Sequence, residues 1–364
     1  MSRWWVYFVC CVLTTLATTV VFVNQRIGAI VVPLFTESRV NGAELEDTCR
    51  NRSCRWGKEQ ESRKIQLRDA CSAFRMETGT YYPPLVYQYD ALNQPKTLNN
   101  LYVIPSHRLI YCSIPKVSST SWKRLFLKIS NISDSMEAIG QAQSHAIAKQ
   151  NFRTLASYPA HEARKLLAAY TTFFFVRDPF ARLLSAYQDK FQNDYPASKV
   201  FRRTWSEKIT RFTAPSPAVL GKRLRTQRRN DGTLNVTFSQ FARFVSLGGD
   251  DAKAQKKRGN VHWIPMYAMC QPCLIDYDYI GHYDSLRTDA DFILTSAGVD
   301  RALRFPNFTT NPTGSSNPST LFRYYSTLTK YEIEDVYKHF SLDFVLFSFE
   351  IPTVISYLFD RKNV

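Results

Sequence analysis

Acidic side chains are scarce in this sequence. Its 364 residues contain 31 Asp and Glu against 47 Lys and Arg, which gives a formal net charge of +16. This excess favours an acidic partner: a nucleic acid, an anionic membrane, or a sulfated or carboxylated polysaccharide. Hydrophobic residues make up 45% of the chain, and neither an internal repeat nor a low-complexity tract is present. The composition is therefore that of a globular protein long enough to bury a full core.

A Gly-Lys-Ser/Thr sequence is also absent, which excludes the phosphate loop of the nucleoside triphosphatases. Another strand–loop–helix unit is present. Leu109 to Tyr111 form an apolar run short enough for a buried strand, and Pro115 to Ser121 form a polar turn without glycine. Trp122, Leu125, Phe126 and Ile129 then recur at the spacing of an amphipathic helix.

This unit has the layout of an anion cradle. The first amides of a helix lack internal partners and carry partial positive charge, so an anion is stabilised there. Lys116 adds a full positive charge, and hydroxyl donors follow it at Ser118, Ser119, Thr120 and Ser121. Taken alone, the same pattern also fits an ordinary turn with a solvated lysine.

A second unit, Thr171 to Asp194, strengthens the first interpretation. Thr172 to Val176 are predicted to form a buried strand with Arg177 at its end, and Pro179 suits the first turn of a helix. In that helix the apolar side chains lie on one side, and Asp178, Arg182 and Ser185 are predicted to face away from the core. Arg177 with Ser185 would then form a second anion site, since a guanidinium fork matches a phosphate.

The two units resemble the cofactor signatures of sulfotransferases. Four sequence motifs resemble those of the membrane-bound Golgi carbohydrate sulfotransferases, the chondroitin/dermatan 4-O-sulfotransferase-like group of sulfotransferase family 2. These motifs are PKV-x-x-T-x-WKRL, VRDPF-x-RL-x-SAY-x-x-KF, HW-x-x-x-x-x-x-C-x-PC-x-x-x-YD-x-IG and a C-terminal YK-x-x-x-x-DF-x-x-F. The resemblance extends from Leu101 to the C-terminus. It implies an α/β, P-loop-like sulfotransferase fold whose central, mostly parallel sheet is flanked by helices.

The resemblance also implies a donor and the residues that bind it. The first loop would hold the 5'-phosphosulfate of 3'-phosphoadenylyl sulfate (PAPS), and the second, an Arg with a Ser eight residues later, its 3'-phosphate. The implied binding residues are Pro115, Lys116, Val117, Ser118, Ser119, Thr120, Ser121, Arg177, Asp178, Pro179, Phe180, Ala181, Arg182, Leu183, Leu184 and Ser185. The expected reaction transfers a sulfuryl group to a glycan hydroxyl, the 4-hydroxyl of N-acetylgalactosamine in chondroitin- or dermatan-type chains.

Sulfuryl transfer needs positioned charge and a base rather than a metal. Lys116 is placed to stabilise the leaving phosphate. His145, 29 residues after Lys116, is the first candidate for the base, and His262 is the alternative. Two other functions stay open: a luminal kinase, in which Asp178 would bind magnesium, and a polysaccharide-binding protein without catalysis.

The N-terminus predicts a membrane anchor. Trp4 to Val23 carry no charge over 20 residues, long enough to span a bilayer, whereas a cleaved signal peptide would be shorter. We predict a cytoplasmic tail at 1–3, an anchor at 4–23, a luminal stem at 24–100 and a catalytic domain at 101–364. With the family resemblance, this gives a single-pass type II protein of the Golgi membrane.

Cysteines and sequons agree with a luminal location. Six cysteines follow the anchor, and Cys270-x-x-Cys273 favours disulfides over a zinc or redox site, because a zinc site needs a second ligand pair. N-x-S/T sequons, candidate glycosylation sites, begin at Asn51, Asn131, Asn235 and Asn307.

A basic region follows the second unit. It contains Lys199, Arg202, Arg203, Lys208, Arg211, Lys222, Arg223, Arg225, Arg228, Arg229, Lys253, Lys256, Lys257 and Arg258. Its density suits an acidic polysaccharide or glycoprotein glycan, since many weak contacts with a charged chain add up. A luminal location argues against nucleic acid, and solvated loops are the plainer alternative.

Overall fold

The computed structural model describes residues 52–77, 98–248, 260–300, 302–306 and 313–360. The predicted membrane segment, the sequons at Asn51 and Asn307 and the basic residues from Lys253 to Arg258 lie outside these ranges. Among the described helices, none is long and apolar enough to cross a bilayer.

The described elements combine a few strands with many helices, as in an α/β protein. In chain order they are α1 (Arg52–Glu77), β1 (Leu101–Ile104), β2 (Leu109–Cys112), α2 (Ser119–Ile129), α3 (Gln141–Asn151), α4 (Ala160–Ala169), β3 (Thr171–Val176), α5 (Pro179–Tyr187), α6 (Pro196–Phe212), α7 (Pro217–Thr226), α8 (Phe238–Ser246), α9 (Met266–Cys270), β4 (Tyr279–His282), α10 (Leu286–Ser296), α11 (Pro318–Tyr325), α12 (Lys330–Phe347) and α13 (Thr353–Asp360). The strand–loop–helix units predicted around Lys116 and Arg177 are both present.

The four described strands form one small sheet in the order β1-β2-β3-β4. β1 pairs antiparallel with β2, whereas β2–β3 and β3–β4 are parallel. Tyr111 of β2 lies opposite Phe173 of β3, so the two predicted strands are neighbours. Because they are parallel, the loops after them emerge at the same edge of the sheet. Ligands bind at this edge in open α/β sheets.

Helices cover both faces of the sheet, as predicted. On one face Trp122 of α2 packs against Phe173 and Phe175, with ring centroids 4.8 Å and 5.2 Å apart. On the other, Phe174 meets Phe347 of α12 at 5.7 Å. Phe175 also requires a glycine opposite it, because a Cβ on Gly281 of β4 would lie 2.2 Å from its ring. Aromatic packing of this kind fixes the strand ends, and with them the loops that follow.

Helix α1, which lies in the predicted stem, packs against β4. Arg63 donates to the Ile280 carbonyl and to Asp289, and Trp56 Nε1 donates to Asp289 as well. The helix is also joined covalently to the body by the disulfide Cys71–Cys273. A second disulfide joins Cys112 to Cys270, and Cys54 is disulfide-bonded too. The disulfide interpretation of the Cys-x-x-Cys pair is therefore confirmed, with its two cysteines in different bridges.

A second core lies beyond the sheet, between α5, α8 and α12. Phe180, Phe241 and Phe344 are among its buried side chains. A capping box is present at the start of α12, where Thr329 and Glu332 satisfy each other's backbone amides. This core surrounds α5 and so holds the helix that follows Arg177.

Candidate active site

The loop between β2 and α2 has the backbone of an anion nest. Lys116 (φ 70°) and Ser118 (φ 57°) adopt the left-handed conformation that glycine usually supplies. Each such residue costs about 1–2 kcal/mol, so the surrounding packing has to hold the loop in place. Ser118 is the N-cap of α2, yet its side chain makes no capping bond. The first amides of α2 therefore remain available to an anion.

The ammonium group of Lys116 lies beside a carboxylate, Asp189, and a second ammonium group, that of Lys190. Its Nζ lies 3.0 Å from Asp189 Oδ2, and Lys190 Nζ lies 3.0 Å from the same oxygen. Burial lowers the pKa of Lys116 to about 8, although Asp189 opposes this shift. Burial acts on Asp189 as well, but the two ammonium groups outweigh it and hold the pKa of that carboxyl at about 2. At neutral pH the arrangement is thus two cations sharing one carboxylate.

The Asp189–Lys190 pair lies in a π-helical turn, Gln188–Gln192, which directly follows α5. Such turns are rare and are often found at functional sites. Neither residue was predicted for the site, although Lys190 belongs to the VRDPF-x-RL-x-SAY-x-x-KF motif and Asp189 directly precedes this lysine.

Arg177 lies directly after β3 and is buried. Its Nη1 donates to the Lys116 carbonyl at 3.0 Å, so the second unit supports the loop of the first. Its Nη2 donates to Ser315 Oγ at 2.9 Å and Ser316 Oγ at 2.8 Å. The guanidinium lies 4.1 Å from the Tyr283 ring centroid, and its buried Nε has no hydrogen-bond partner among the described residues.

Ser185 is connected to Arg177 by hydroxyl groups of a third segment, residues 313–317. Its Oγ lies 3.1 Å from Thr313 Oγ1, which lies 3.0 Å from Ser315 Oγ. The segment 313–317 precedes α11, and Asn317 caps that helix by accepting from Ser319 N. Sequence reasoning missed this segment. An Asn N-cap followed by Pro318 at the first helical position was the signal that could have found it.

One cavity of about 880 Å³ connects these groups. Its lining includes the Lys116 loop, Arg177 and Ser185, and segment 313–317. Lys190, residues 195–198 and His262 also line it. The two predicted anion sites are therefore brought together in a single space.

His145 lies on α3 and faces the first turns of α2. Its Nε2 lies 3.1 Å from Thr120 Oγ1 and its Nδ1 lies 2.9 Å from Lys123 Nζ. Burial and the charge of Lys123 lower the pKa of His145 to about 4, so the imidazole is neutral at physiological pH. Burial also lowers the pKa of Lys123 to about 8.

His262 lines the same cavity. Burial, followed by the charges of Lys190 and Lys116, lowers its pKa well below the ordinary value. Its buried Nδ1 has no hydrogen-bond partner among the described residues. Both histidines proposed from the sequence thus face the cavity as neutral rings.

The predicted polar stripe on α5 is wrong as a surface feature, because all nine residues of this helix are enclosed. Arg182 is 1% exposed and donates to the carbonyls of Pro115, Val261 and Ile264. It therefore supports the loop from behind. Asp178 accepts from Ala181 N at 2.7 Å and caps α5. Desolvation raises the pKa of Asp178 to about 7.

The remaining residues predicted to bind the donor are either core residues or residues that line the cavity. Val117 and the apolar side chains of α5 are core residues, and Ser119 and Ser121 are buried. Pro115, Ser118, Ser119, Thr120 and Ser121 line the cavity with Lys116. Phe180, Ala181, Leu183 and Leu184 can serve a ligand only by positioning Arg177 and Ser185.

The basic region is partly structural. Arg202 is 1% exposed and pairs with Asp194 and Asp231, and Arg229 pairs with Asp194. By contrast, Arg203, Lys222 and Arg225 are exposed and form no ion pair with a described residue. Only such residues are free to meet an acidic partner.

Comparison with known proteins decides the family. The model of the Sulfotransferase family matches residues 99–350. The chain is 33% identical to carbohydrate sulfotransferase 10 of Xenopus laevis over 264 residues, covering 71% of this chain and 69% of the relative. It is 33% identical to carbohydrate sulfotransferase 11 of Rattus norvegicus over 267 residues (72% and 70%), and 31% identical to carbohydrate sulfotransferase 14 of Danio rerio over 298 residues (80% and 72%). No solved structure is significantly similar to the chain.

The chain belongs to the sulfotransferase family. The resemblance found in the motifs is thereby confirmed, and the protein is an enzyme of sulfuryl transfer. Membership implies PAPS as the donor. The described residues suit such a ligand, because Arg177 Nε has no hydrogen-bond partner among them and the first amides of α2 are left uncapped by Ser118. No group of three or more His, Cys, Asp or Glu residues suited to a metal occurs in the described part of the chain.

Proposed function

We propose that this sulfotransferase transfers the sulfuryl group of PAPS to a glycan hydroxyl, the 4-hydroxyl of N-acetylgalactosamine in chondroitin- or dermatan-type chains. The observation that carries the proposal is the cavity lined by the Lys116 loop, the Arg177–Ser185 pair and Lys190. The names of the relatives, all carbohydrate sulfotransferases, support a glycan as acceptor.

Donor binding falls to two groups of residues. The nest at Lys116 and Ser118, the open amides of α2 and the hydroxyls of Ser119 to Ser121 would bind the 5'-phosphosulfate. Arg177 and Ser185 would bind the 3'-phosphate, assisted by the hydroxyls of Ser315 and Ser316 that already contact Arg177. Charged hydrogen bonds of this kind contribute about 1.5–3 kcal/mol each.

Lys116 and a histidine would carry the chemistry. Negative charge grows on the oxygen between phosphorus and sulfur as its bond to sulfur breaks, and Lys116 would stabilise that charge. His145 would take the proton of the acceptor hydroxyl, since its ring is neutral and reaches the first turn of α2. His262, which lines the same cavity, is the alternative base.

The acceptor would approach from the side of α6 and α7. Arg203, Lys222 and Arg225 are exposed on these helices and form no ion pair with a described carboxylate. An acidic polysaccharide fits that surface because its charge repeats along the chain, whereas nucleic acid is excluded by the proposed location.

We place the enzyme in the Golgi membrane, anchored by residues 4–23 with its catalytic domain, 101–364, in the lumen. The exposed Asn131 and Asn235 are suitable there for glycosylation.

The proposal is tested by labelled sulfate transfer to a panel of chondroitin, dermatan and heparan chains, followed by disaccharide analysis that resolves each position. Label at the 4-position of N-acetylgalactosamine, undiminished by a chelator, is expected. Label confined to another sugar or position would reject the acceptor assignment. Chelator-sensitive transfer of phosphate would favour a kinase, and polysaccharide binding without transfer would favour a non-catalytic protein.

A further inference from the structure

Lys123 is a buried lysine for which the reaction described above has no use. It lies on α2, is 6% exposed and lines the cavity. Its Nζ lies 4.8 Å from the centroid of the Tyr102 ring and 2.9 Å from His145 Nδ1. No described carboxylate pairs with it. A buried amine without an anion is costly in its charged form, so its neutral form is accessible.

The contacts of His145 allow two proton arrangements. When Lys123 is an ammonium, it donates to Nδ1, and the proton on Nε2 is then donated to Thr120 Oγ1. When Lys123 is a neutral amine, Nδ1–H donates to Nζ, and Nε2 accepts from the Thr120 hydroxyl. The distances of 2.9 Å and 3.1 Å fit both. Only the second arrangement leaves a lone pair on Nε2 that can accept the proton of an acceptor hydroxyl.

The two groups differ in basicity in a way that matters for this role. Burial and neighbouring positive charge lower the pKa of His145 to about 4, so an imidazole alone holds a proton poorly. The pKa of Lys123 is lowered by burial, but only to about 8. A general base works best when its pKa is near the operating pH. The Lys123 amine meets that condition better than the His145 imidazole.

We propose that Lys123 is a positioning residue that orients His145 and takes the proton from it, so that the two side chains work as one base. This rests on the proposed sulfuryl transfer with His145 in contact with the acceptor. Neutral Lys123 fixes Nδ1 as the protonated nitrogen, and the acceptor hydroxyl replaces Thr120 as the partner of Nε2. The freed Thr120 hydroxyl then points toward the anion that the α2 amides bind.

The step balances. The acceptor oxygen forms a bond to sulfur while the bond from sulfur to the bridging phosphate oxygen breaks, and that oxygen leaves with the electron pair. The acceptor proton moves to Nε2, and the Nδ1 proton moves to Lys123 Nζ. The products are a sulfate ester, the nucleotide bisphosphate and an ammonium at Lys123, which later loses its proton to solvent.

Other charged groups near the pair set the direction of the pH effect. Arg124 and Lys190 face His145 and lower its pKa, whereas Asp189 raises it. The Tyr102 ring covers Lys123 from β1. The rate should rise with pH through the pKa of Lys123, because Lys123 has to be neutral. It should fall again above about pH 8 as Lys116 loses its proton, because the pKa of Lys116 is also about 8, and the profile is therefore a narrow bell.

The test is the pH profile of kcat/KM for the donor, which reports groups of the free enzyme. The wild type should lose activity about tenfold per pH unit below about pH 8. Lys123→Met removes the proton acceptor, so its plateau should be at least roughly tenfold lower and flat down to pH 6. Lys149→Met, the same substitution at an exposed position of α3, is the control and should keep the wild-type profile.

Lys123→Arg provides a second test that preserves positive charge and bulk. Its guanidinium always donates to Nδ1, so activity should be low at every pH while the affinity for 3'-phosphoadenosine 5'-phosphate (PAP) stays near wild type. If Lys123→Arg is active, or if Lys123→Met still loses activity below about pH 8, the proposed proton transfer from His145 to Lys123 is wrong, while the proposed function stands. A wild type that transfers no sulfate at any pH would overturn both.

Discussion

Lys116 Nζ and Asp189 Oδ2 lie 3.0 Å apart inside the cavity, with side-chain exposures of 11% and 4%. The carboxylate keeps a buried lysine protonated before any ligand arrives, since burial alone would lower the lysine pKa further. It also competes with an incoming anion for the same ammonium group. Asp189 therefore has opposite effects on the charge of Lys116 and on donor affinity, and these effects can be measured separately.

Asp189→Asn should move the basic limb of the pH profile to lower pH. The Asp189 charge raises the pKa of Lys116, so its removal lets that pKa fall below about 8 and neutralises Lys116 earlier as pH rises. At pH 6, where Lys116 stays charged, PAP should bind at least as tightly as in the wild type. Asp194→Asn, at an exposed carboxylate that does not line the cavity, is the control. A basic limb at the wild-type position would contradict the coupling.

Arg177→Ala should weaken PAP binding by about 1.5–3 kcal/mol, roughly a 10- to 150-fold rise in Kd. Ser185→Ala should act in the same direction, because its hydroxyl belongs to the same chain of contacts through Thr313 and Ser315. Calorimetric titration with PAP measures both, and Arg203→Ala, an exposed arginine of α6, is the matched control. Wild-type affinity in either variant would remove that residue from the 3'-phosphate site.

Removing the Cys71–Cys273 or the Cys112–Cys270 disulfide should show whether each affects stability alone or PAP binding as well. Removing either is expected to cost about 2–5 kcal/mol of unfolding free energy. Cys112 directly precedes the Lys116 loop, whereas Cys71–Cys273 attaches α1 at the far side of β4. Paired Cys→Ser variants should both lower the denaturant midpoint, but only the 112/270 variant should also weaken PAP binding. Equal losses of affinity would show that the loop is not held locally.

The sequence predicted the local units well because each unit is encoded within a few residues. The spacing of Trp122, Leu125, Phe126 and Ile129 predicts α2, and all four are buried. Arg177 at a strand end and Ser185 in the helix that follows were predicted to share one site, and both line the same cavity. The Thr329–Glu332 capping box is local in the same sense.

The parts that the sequence did not predict depend on contacts between distant segments. Segment 313–317 meets Arg177 across 138 residues, and Lys123 meets His145 between two helices. The stripe on α5 was misjudged because a helix enclosed on every side can bury an arginine when carbonyl groups satisfy it, as Pro115, Val261 and Ile264 do for Arg182. Periodicity cannot show which carbonyls will be there.

The catalytic role of Lys116 is tested most directly by the kcat of Lys116→Ala, measured with labelled PAPS and a chondroitin acceptor. The Kd of the same variant for PAP is measured alongside. A group that acts mainly in the transition state affects turnover more than binding. We predict a fall in kcat of about 100-fold or more with a much smaller change in Kd, and incomplete rescue by Lys116→Arg, whose guanidinium is larger and differently shaped. Near-normal kcat in the alanine variant would contradict the catalytic role of Lys116.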